Sequence, residues 1–330
     1  MNAIVALIIV AGLFLVAYLG AGNAGLHQLF GVVLPYAAIF LFLFGFIYRV
    51  VVWGRSKVPF RITTTCGQQK SLDFIGANNL ENPHNTAGVI GRMALEVLLF
   101  RSLFRNTKAD LKDGARLVYG PDKWLWGAAL AFHWSFLIVF VRHYRFFAEP
   151  VPGFITGMQS IDGFFEIGVP VLYLTSFALL ASVTYLFLRR VFIPQVRYIS
   201  LMTDYFPLFL IIGIAASGIL MRHIYKVDIV GVKELAMGLV SFNPVVPEGI
   251  GVIFFVHLFF VCALIAYFPF SKLMHLGGVF MSPTRVLVNN NRSKRHVNPW
   301  NYDVKTHTYE EYEDEFREVM REAGLPLEKE

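Results

Sequence analysis

Apolar residues along this chain come in long blocks separated by polar stretches. Six blocks are long enough to cross a bilayer, which takes about 20 helical residues at 1.5 Å each. They run from Asn2 to Gly20, Leu29 to Trp53, Trp124 to Phe147, Phe164 to Leu188, Tyr205 to Met221 and Ile250 to Phe270. This pattern predicts an all-α membrane protein with six transmembrane helices. The first block lacks a basic leader and a small-x-small cleavage site, so it reads as a retained anchor rather than a signal peptide.

Four units follow from the pattern. Residues 1–53 carry two spans, and 54–123 form one long polar connection. Residues 124–279 carry four spans, and 280–330 are a polar tail. Within the connection, a helix is expected from Thr86 to Phe104. Val89, Met93, Val97, Leu98 and Phe104 recur there at helical spacing, with Arg92, Glu96 and Arg101 among them. Such a helix lies on a membrane surface or docks a partner; the two are compatible. In the tail, Thr308 with Glu311 fits a capping box, and Gly324 followed by Pro326 fits a stop.

Composition agrees with the pattern: 56% of residues are hydrophobic and 16% charged. Charge then sets the orientation. The connection from Gly54 to Lys123 carries eleven Lys and Arg, and Arg189, Arg190 and Arg197 follow the fourth block. The turn from Ala21 to His27 has none. By the positive-inside rule both termini and the long connection are cytoplasmic, in the inner membrane. The net charge of +6 is this bias. No basic stripe with interleaved aromatics points to nucleic acid. The two cysteines, Cys66 and Cys262, fall on different elements, and an iron–sulfur cluster needs about four thiolates. Cys66 reads as a free thiol, with a position near a partner contact as the alternative.

The chemistry rests on histidine. His27, His84, His296 and His307 lie in expected loops or tails, whereas His133, His143 and His257 lie within spans and His223 and His275 at span ends. Polar side chains at membrane depth are expensive and face functional interiors. No matching set of carboxylates accompanies these five. Haem b offers an explanation, since its iron takes two neutral imidazoles and its ring buries apolar faces between helices. His133 and His143 are ten residues apart, about 15 Å along a helix. His257 and His275 are eighteen apart, about 27 Å on an unbroken helix. Antiparallel placement pairs His133 with His275 and His143 with His257, provided tilt and a kink at Pro269 absorb a mismatch of about 12 Å. A rival pairing joins His223 to His143.

The segment FHWSFLIVFVRH, from Phe132 to His143, resembles the ligand helix of the nitrate reductase gamma-subunit family. VHLFFVCALIAYFPFSKLMH, from Val256 to His275, resembles that family's last helix, with its F-P-F-S-[RK]-L-x-H ending. The resemblance covers about Lys123 to Val279 and implies a di-haem b quinol oxidoreductase subunit. It implies His133 and His275 on a cytoplasmic haem, and His143 and His257 on an outer one. VPFRITTTCGQQKSL and RMALEVLLFRSLFRN resemble the related M-subunit (DsrM-type) family of sulfite-reduction-associated electron-transfer complexes, over nearly the whole chain. That resemblance implies a menaquinone-linked redox subunit of an oxidoreductase complex rather than a stand-alone enzyme. It also implies a cytoplasmic iron–sulfur partner of the heterodisulfide-reductase (DsrK) type that acts on a small sulfur-carrier protein. A second membrane subunit and extracytoplasmic multihaem cytochrome c and iron–sulfur subunits complete the implied assembly. The long connection and the tail are the expected docking segments.

One departure from the nitrate reductase pattern concerns the quinone. A lysine after the first ligand helix is associated with quinol binding in that family, yet no Lys or Arg occurs between Phe146 and Leu188. The candidates are instead Tyr144, Asp162, Glu166 and His223, near the outer pair; the two acids could equally mark an aqueous interface. Arg142, Arg145, Arg222 and Lys272 adjoin the proposed ligands. They either snorkel to headgroups or pair with haem propionates, for which Arg142 and Arg222 are the leading set. Two other classes compete: a proton-coupled secondary transporter using the intramembrane histidines as relays, and a plain membrane anchor for a soluble partner. A transporter would be colourless, and an anchor would tolerate loss of His133 and His257.

Overall fold

The computed structural model describes residues 1–57, 67–105, 108–114, 116–164, 170–294, 303 and 305–329. Cys66 and Glu166 lie outside the described residues. Helix α1 spans Asn2–Gly22, and a π-helical turn at Leu29–Val33 leads into α2 (Leu34–Gly54). The connection holds α3 (Thr86–Leu99), α4 (Arg101–Phe104) and an antiparallel ribbon of β1 (Lys108–Lys112) and β2 (Arg116–Gly120). Then come α5 (Lys123–His143), α6 (Gly153–Asp162), α7 (Leu174–Phe192), α8 (Pro194–Ile199), α9 (Met202–Leu220) and α10 (Ile229–Val240). The chain continues with α11 (Val252–Tyr267), α12 (His275–Met281), α13 (Pro283–Val286) and α14 (Tyr309–Glu322).

Six helices are long and apolar enough to cross a membrane, so the chain is a multi-pass membrane protein. Five spans fall within a few residues of expectation. The fourth does not: the crossing helix is Leu174–Phe192, not Phe164 to Leu188. Asp162 explains the shift. Its Oδ1 accepts from the Thr175 backbone N–H (2.9 Å) and its Oδ2 from Thr175 Oγ1 (2.7 Å). A carboxylate there satisfies an orphan donor and suits the helix dipole, which fixes where α7 begins. The exposed ribbon, α6 and α10 are additions that hydrophobic blocks do not reveal.

Lipid offers no solvent-driven force to join apolar helices, so close backbone approach has to do it. On α1, Ala6, Val10, Ala17 and Ala21 form one buried stripe, and α1 packs against α9 and α11. The opposite face, with Ile4, Ile8 and Leu15, is exposed, as a lipid-facing surface should be. Helix α11 also packs on α2 and α9, while α5 packs along α7. Among the described residues α5 and α11 share no extended packing. His133 and His143 of α5 therefore meet His257 of α11 and His275 at the start of α12 through their rings rather than through close helix packing.

In the connection, the expected helix is broken once. Phe100 takes a left-handed conformation (φ 49°, ψ 45°) between α3 and α4. The polar face of α3 turns inward: Arg92 and Glu96 are buried, with Arg92 donating to the Thr284 carbonyl and Arg285 pairing with Glu96 (3.2 Å). Ile90 on the other face is 64% exposed. A second tie runs from the Asn289 N–H to the Pro83 carbonyl (2.7 Å). The long connection and the segment after the sixth span are thus fastened together. The tail helix α14 carries the expected capping box, with Glu311 N–H on Thr308 Oγ1 and Thr308 N–H on Glu311 Oε2.

Candidate functional site: two imidazole pairs between α5 and α11

Histidines of α5 meet histidines of α11 and α12 at two levels. The rings of His133 and His275 lie 5.9 Å apart between centroids at an interplanar angle of 83°. Those of His143 and His257 lie 6.4 Å apart at 11°. His223 packs instead on Phe177, at 6.1 Å. The unbroken-helix length does not apply to His257 and His275, because the chain leaves the α-helix after Tyr267. A 3-10 turn holding Pro269 ends at Ser271, which is extended (φ −118°, ψ 177°). A second 3-10 turn then delivers His275.

Each imidazole is held through the same atom. Nδ1 of His133 lies 2.7 Å from the Ala129 carbonyl, and Nδ1 of His143 lies 2.7 Å from that of Val139. Nδ1 of His275 lies 2.9 Å from the Lys272 carbonyl. A carbonyl only accepts, so these three Nδ1 atoms carry the proton and leave Nε2 with its lone pair. His257 Nδ1 lies 2.9 Å from Ser217 Oγ, whose own proton goes to the Gly213 carbonyl at 2.7 Å. Close approach of α9 is part of this contact, since a Cβ on Gly218 would sit 3.4 Å from His257 Cε1. Among the described residues no hydrogen bond uses Nε2 of any of the four. An anchored Nδ1 with a free Nε2 is the arrangement of a metal-ligating histidine.

The donor set discriminates between groups. Among the described residues no three His, Cys, Asp or Glu side chains gather to hold a metal ion. Two imidazoles cannot complete a tetrahedral or octahedral shell alone, but they suit a planar macrocycle that brings four in-plane donors of its own. The centroid spacings of 5.9 and 6.4 Å leave each pair close enough to share one bound group. The residues present therefore fit haem b.

The basic residues divide. Arg142 and Asp162 are buried, with side chains 8% and 3% exposed, and Arg142 Nε lies 3.1 Å from Asp162 Oδ2 at an angle too bent for a hydrogen bond. Arg142 also donates to Thr175 Oγ1 and Ser176 Oγ, and lies over the Tyr173 ring. Lys272 pairs with Asp204 at 2.7 Å. Arg222 donates to the Val171 carbonyl and covers the Tyr173 ring at 4.3 Å, with no carboxylate partner among the described residues. Of the expected propionate partners, Arg142 is already committed to joining α5, α6 and α7, while Arg222 is not. Asp162 is likewise saturated, which leaves it poorly suited to trading protons with a quinone. It is buried rather than marking an aqueous interface. Tyr144 is half-exposed at the end of α5.

Several site residues were not foreseen. Trp126 Nε1 donates to the Leu99 carbonyl (2.7 Å) and Trp134 Nε1 to that of Leu98 (3.1 Å). Phe100, at the break between α3 and α4, sets its ring edge-on to His133 at 4.8 Å. The connection is thus pinned against the His133 level of the bundle. Ser217 and Asp204 were missed as well. Nothing in an apolar run or a helix start marks a serine or an aspartate as the partner of a particular residue elsewhere in the chain.

Comparison with known proteins bears directly on this arrangement. The model of the nitrate reductase gamma subunit family matches residues 93–295. The chain belongs to that family. The matched region of this nitrate reductase gamma family member contains all four paired histidines, and α1 and α2 precede it. Two archaeal relatives extend the likeness. One, from Archaeoglobus fulgidus, is named an Hdr-like menaquinol oxidoreductase cytochrome b-like subunit; it is 44% identical over 279 residues, covering 82% of this chain and 83% of its own length. Its counterpart of the same name from Archaeoglobus profundus is 42% identical over 274 residues, covering 81% of each.

Proposed function

We propose that this chain is the cytochrome b subunit of a menaquinol-oxidising membrane complex. It would hold one b haem between His133 and His275 and a second between His143 and His257. The observation that carries this is the shared state of the four imidazoles: paired at two levels, anchored at Nδ1 and free at Nε2. A haem at each level would supply reversible one-electron chemistry. The chain's own contribution is to fix four ring orientations, exclude water with apolar helices, and space two sites along α5 by about 15 Å. Arg222 is the side chain left to meet a propionate of the outer haem.

The relatives' names support menaquinol as the electron source and a heterodisulfide-reductase-like partner as the destination. The cytoplasmic level adjoins the connection that Trp126 and Trp134 pin in place. A DsrK-type iron–sulfur subunit would dock on that connection and the tail fastened to it. The whole-chain resemblance supports a complex of the DsrM-containing kind, which would act in dissimilatory sulfur metabolism with a second membrane subunit and extracytoplasmic multihaem and iron–sulfur subunits. The purified chain should be red and its b-type absorbance should be reducible by a naphthoquinol. A colourless preparation, or a spectrum that responds to dithionite but not to naphthoquinol, refutes the assignment.

A further inference from the structure

The corner between α3 and α4 lies against α5 at the level of the His133–His275 pair. Helix α3 ends at Leu99, and its last carbonyls find no partner within the helix. Two indoles of α5 take them: Trp134 Nε1 donates to the Leu98 carbonyl and Trp126 Nε1 to that of Leu99. Both tryptophans belong to the span Lys123–Phe146, where little water is at hand to serve a carbonyl. Leu98, Leu99 and Phe104 leave large apolar surfaces exposed around the corner, as contact with acyl chains requires. The corner is thus fastened to the ligand helix itself.

Phe100 is the residue that this fastening carries onto a ligand. Its backbone is left-handed (φ 49°, ψ 45°), and its N–H closes α3 on the Glu96 carbonyl at 3.2 Å. Glycine is the usual occupant of such a helix end, because a side chain there is strained. A bulky aromatic in this conformation is an outlier, and such outliers cluster at functional sites. The ring is half-buried and stands 4.8 Å from that of His133 at 71°. Phe132 adds a second near-perpendicular ring at 4.9 Å and 86°. The Ala129 carbonyl holds His133 at Nδ1 alone. One hydrogen bond leaves the ring plane free to tilt about that atom, and an edge-to-face neighbour restricts the tilt. His143 has no neighbour of this kind from the connection: among the described residues its ring meets Phe146 and His257.

We propose that Phe100 is a positioning residue that sets the plane of the His133 imidazole, and through it the electronic state of the haem at the cytoplasmic level. This role rests on the function proposed above. Mutually perpendicular axial imidazoles leave two d orbitals of low-spin ferric iron close in energy, whereas parallel ones split them. The rings of His133 and His275 stand at 83°, and those of His143 and His257 at 11°. The first pair should therefore give a strongly anisotropic EPR signal and the second a rhombic one. Phe100 touches the first pair alone.

The test is EPR and redox titration of the purified full-length chain, with haem counted in each variant. Phe100→Gly separates ring from backbone, since glycine suits the left-handed corner better than phenylalanine does. It should move the anisotropic signal towards the rhombic one. It should also change the reduction equilibrium of that haem about threefold, or about 30 mV for one electron, in keeping with the loss of one edge-to-face contact. The rhombic signal should stay in place. Phe100→Tyr, which keeps the ring, should preserve both signals. Loss of the first haem in Phe100→Gly but not in Phe100→Tyr would support the same role, because the backbone is relieved by that change. An anisotropic signal and midpoint indifferent to Phe100→Gly, equal shifts of both haems, or the same change in Phe100→Tyr would each overturn it. A wild-type chain with no haem at His133 refutes the proposed function and this role together. A chain with both haems that ignores Phe100→Gly refutes the role alone.

Discussion

At the scale of single residues, the four imidazoles are not equivalent. Three are held by backbone carbonyls of their own chain segment, which no substitution removes. His257 is held by the hydroxyl of Ser217 on a neighbouring helix. Such an outer partner orients the ring and raises ligand basicity, and its loss typically costs about 10–100-fold in metal affinity or activity. Ser217→Ala should therefore shift the midpoint potential of one haem and leave the other in place, whereas Ser217→Thr should keep both near their original values. A redox titration followed in the visible spectrum reads this, and equal shifts of both haems would contradict it. Arg142 and Asp162 make the complementary case. Removing one member of a buried pair strands a charge and typically costs about 3–5 kcal/mol. Arg142→Met should lower the melting temperature in detergent markedly, and Arg142→Met combined with Asp162→Asn should recover part of the loss, because an asparagine oxygen can still accept from Thr175 N–H.

At the scale of elements, what the sequence disclosed depended on how local the cause was. Long apolar blocks place helices because a bilayer demands internal hydrogen bonding over about 20 residues. The capping box at Thr308 and Glu311 was legible because its two partners are three residues apart. The start of α7 was not, since it is set by Asp162, thirteen residues from the Thr175 it caps. The break at Phe100 and the unwinding at Ser271 were likewise hidden, although Pro269 signalled that α11 could not run straight to His275. The tail helix yields a prediction of its own. Glu313 is buried, and its carboxylate accepts from the backbone N–H groups of Glu328 and Lys329. Those donors hold its pKa below the usual 4.5, with help from Arg317. A lowered folded-state pKa gives stability that is present above the unfolded value and is lost as pH falls through the folded one. Hydrogen exchange of residues 325–329 should therefore stay slow near neutrality and rise, after correction for intrinsic rates, as pH drops below about 4.5. Glu313→Gln should remove that dependence. An unchanged profile in the variant would show that another group fastens the tail.

At the scale of the whole molecule, the six spans form a bundle whose α5 and α11 stand apart, with paired histidines at two depths and a connection pinned at one of them. The histidines were conspicuous in the sequence because imidazoles without matching acids are costly in lipid. Their pairing followed from spacing together with a family likeness. The commitment of Arg142 to Asp162 and the hold of Ser217 on His257 arise only from chain segments far apart in sequence, which no local pattern encodes. The central claim is that each level holds one haem through one histidine of α5 and one from the segment 257–275. A pyridine haemochrome assay on the purified chain measures this most directly. The account predicts about two haems b per chain, falling to about one in His133→Ala and about one in His257→Ala. A chain without haem, or variants that both keep the full complement, would contradict it.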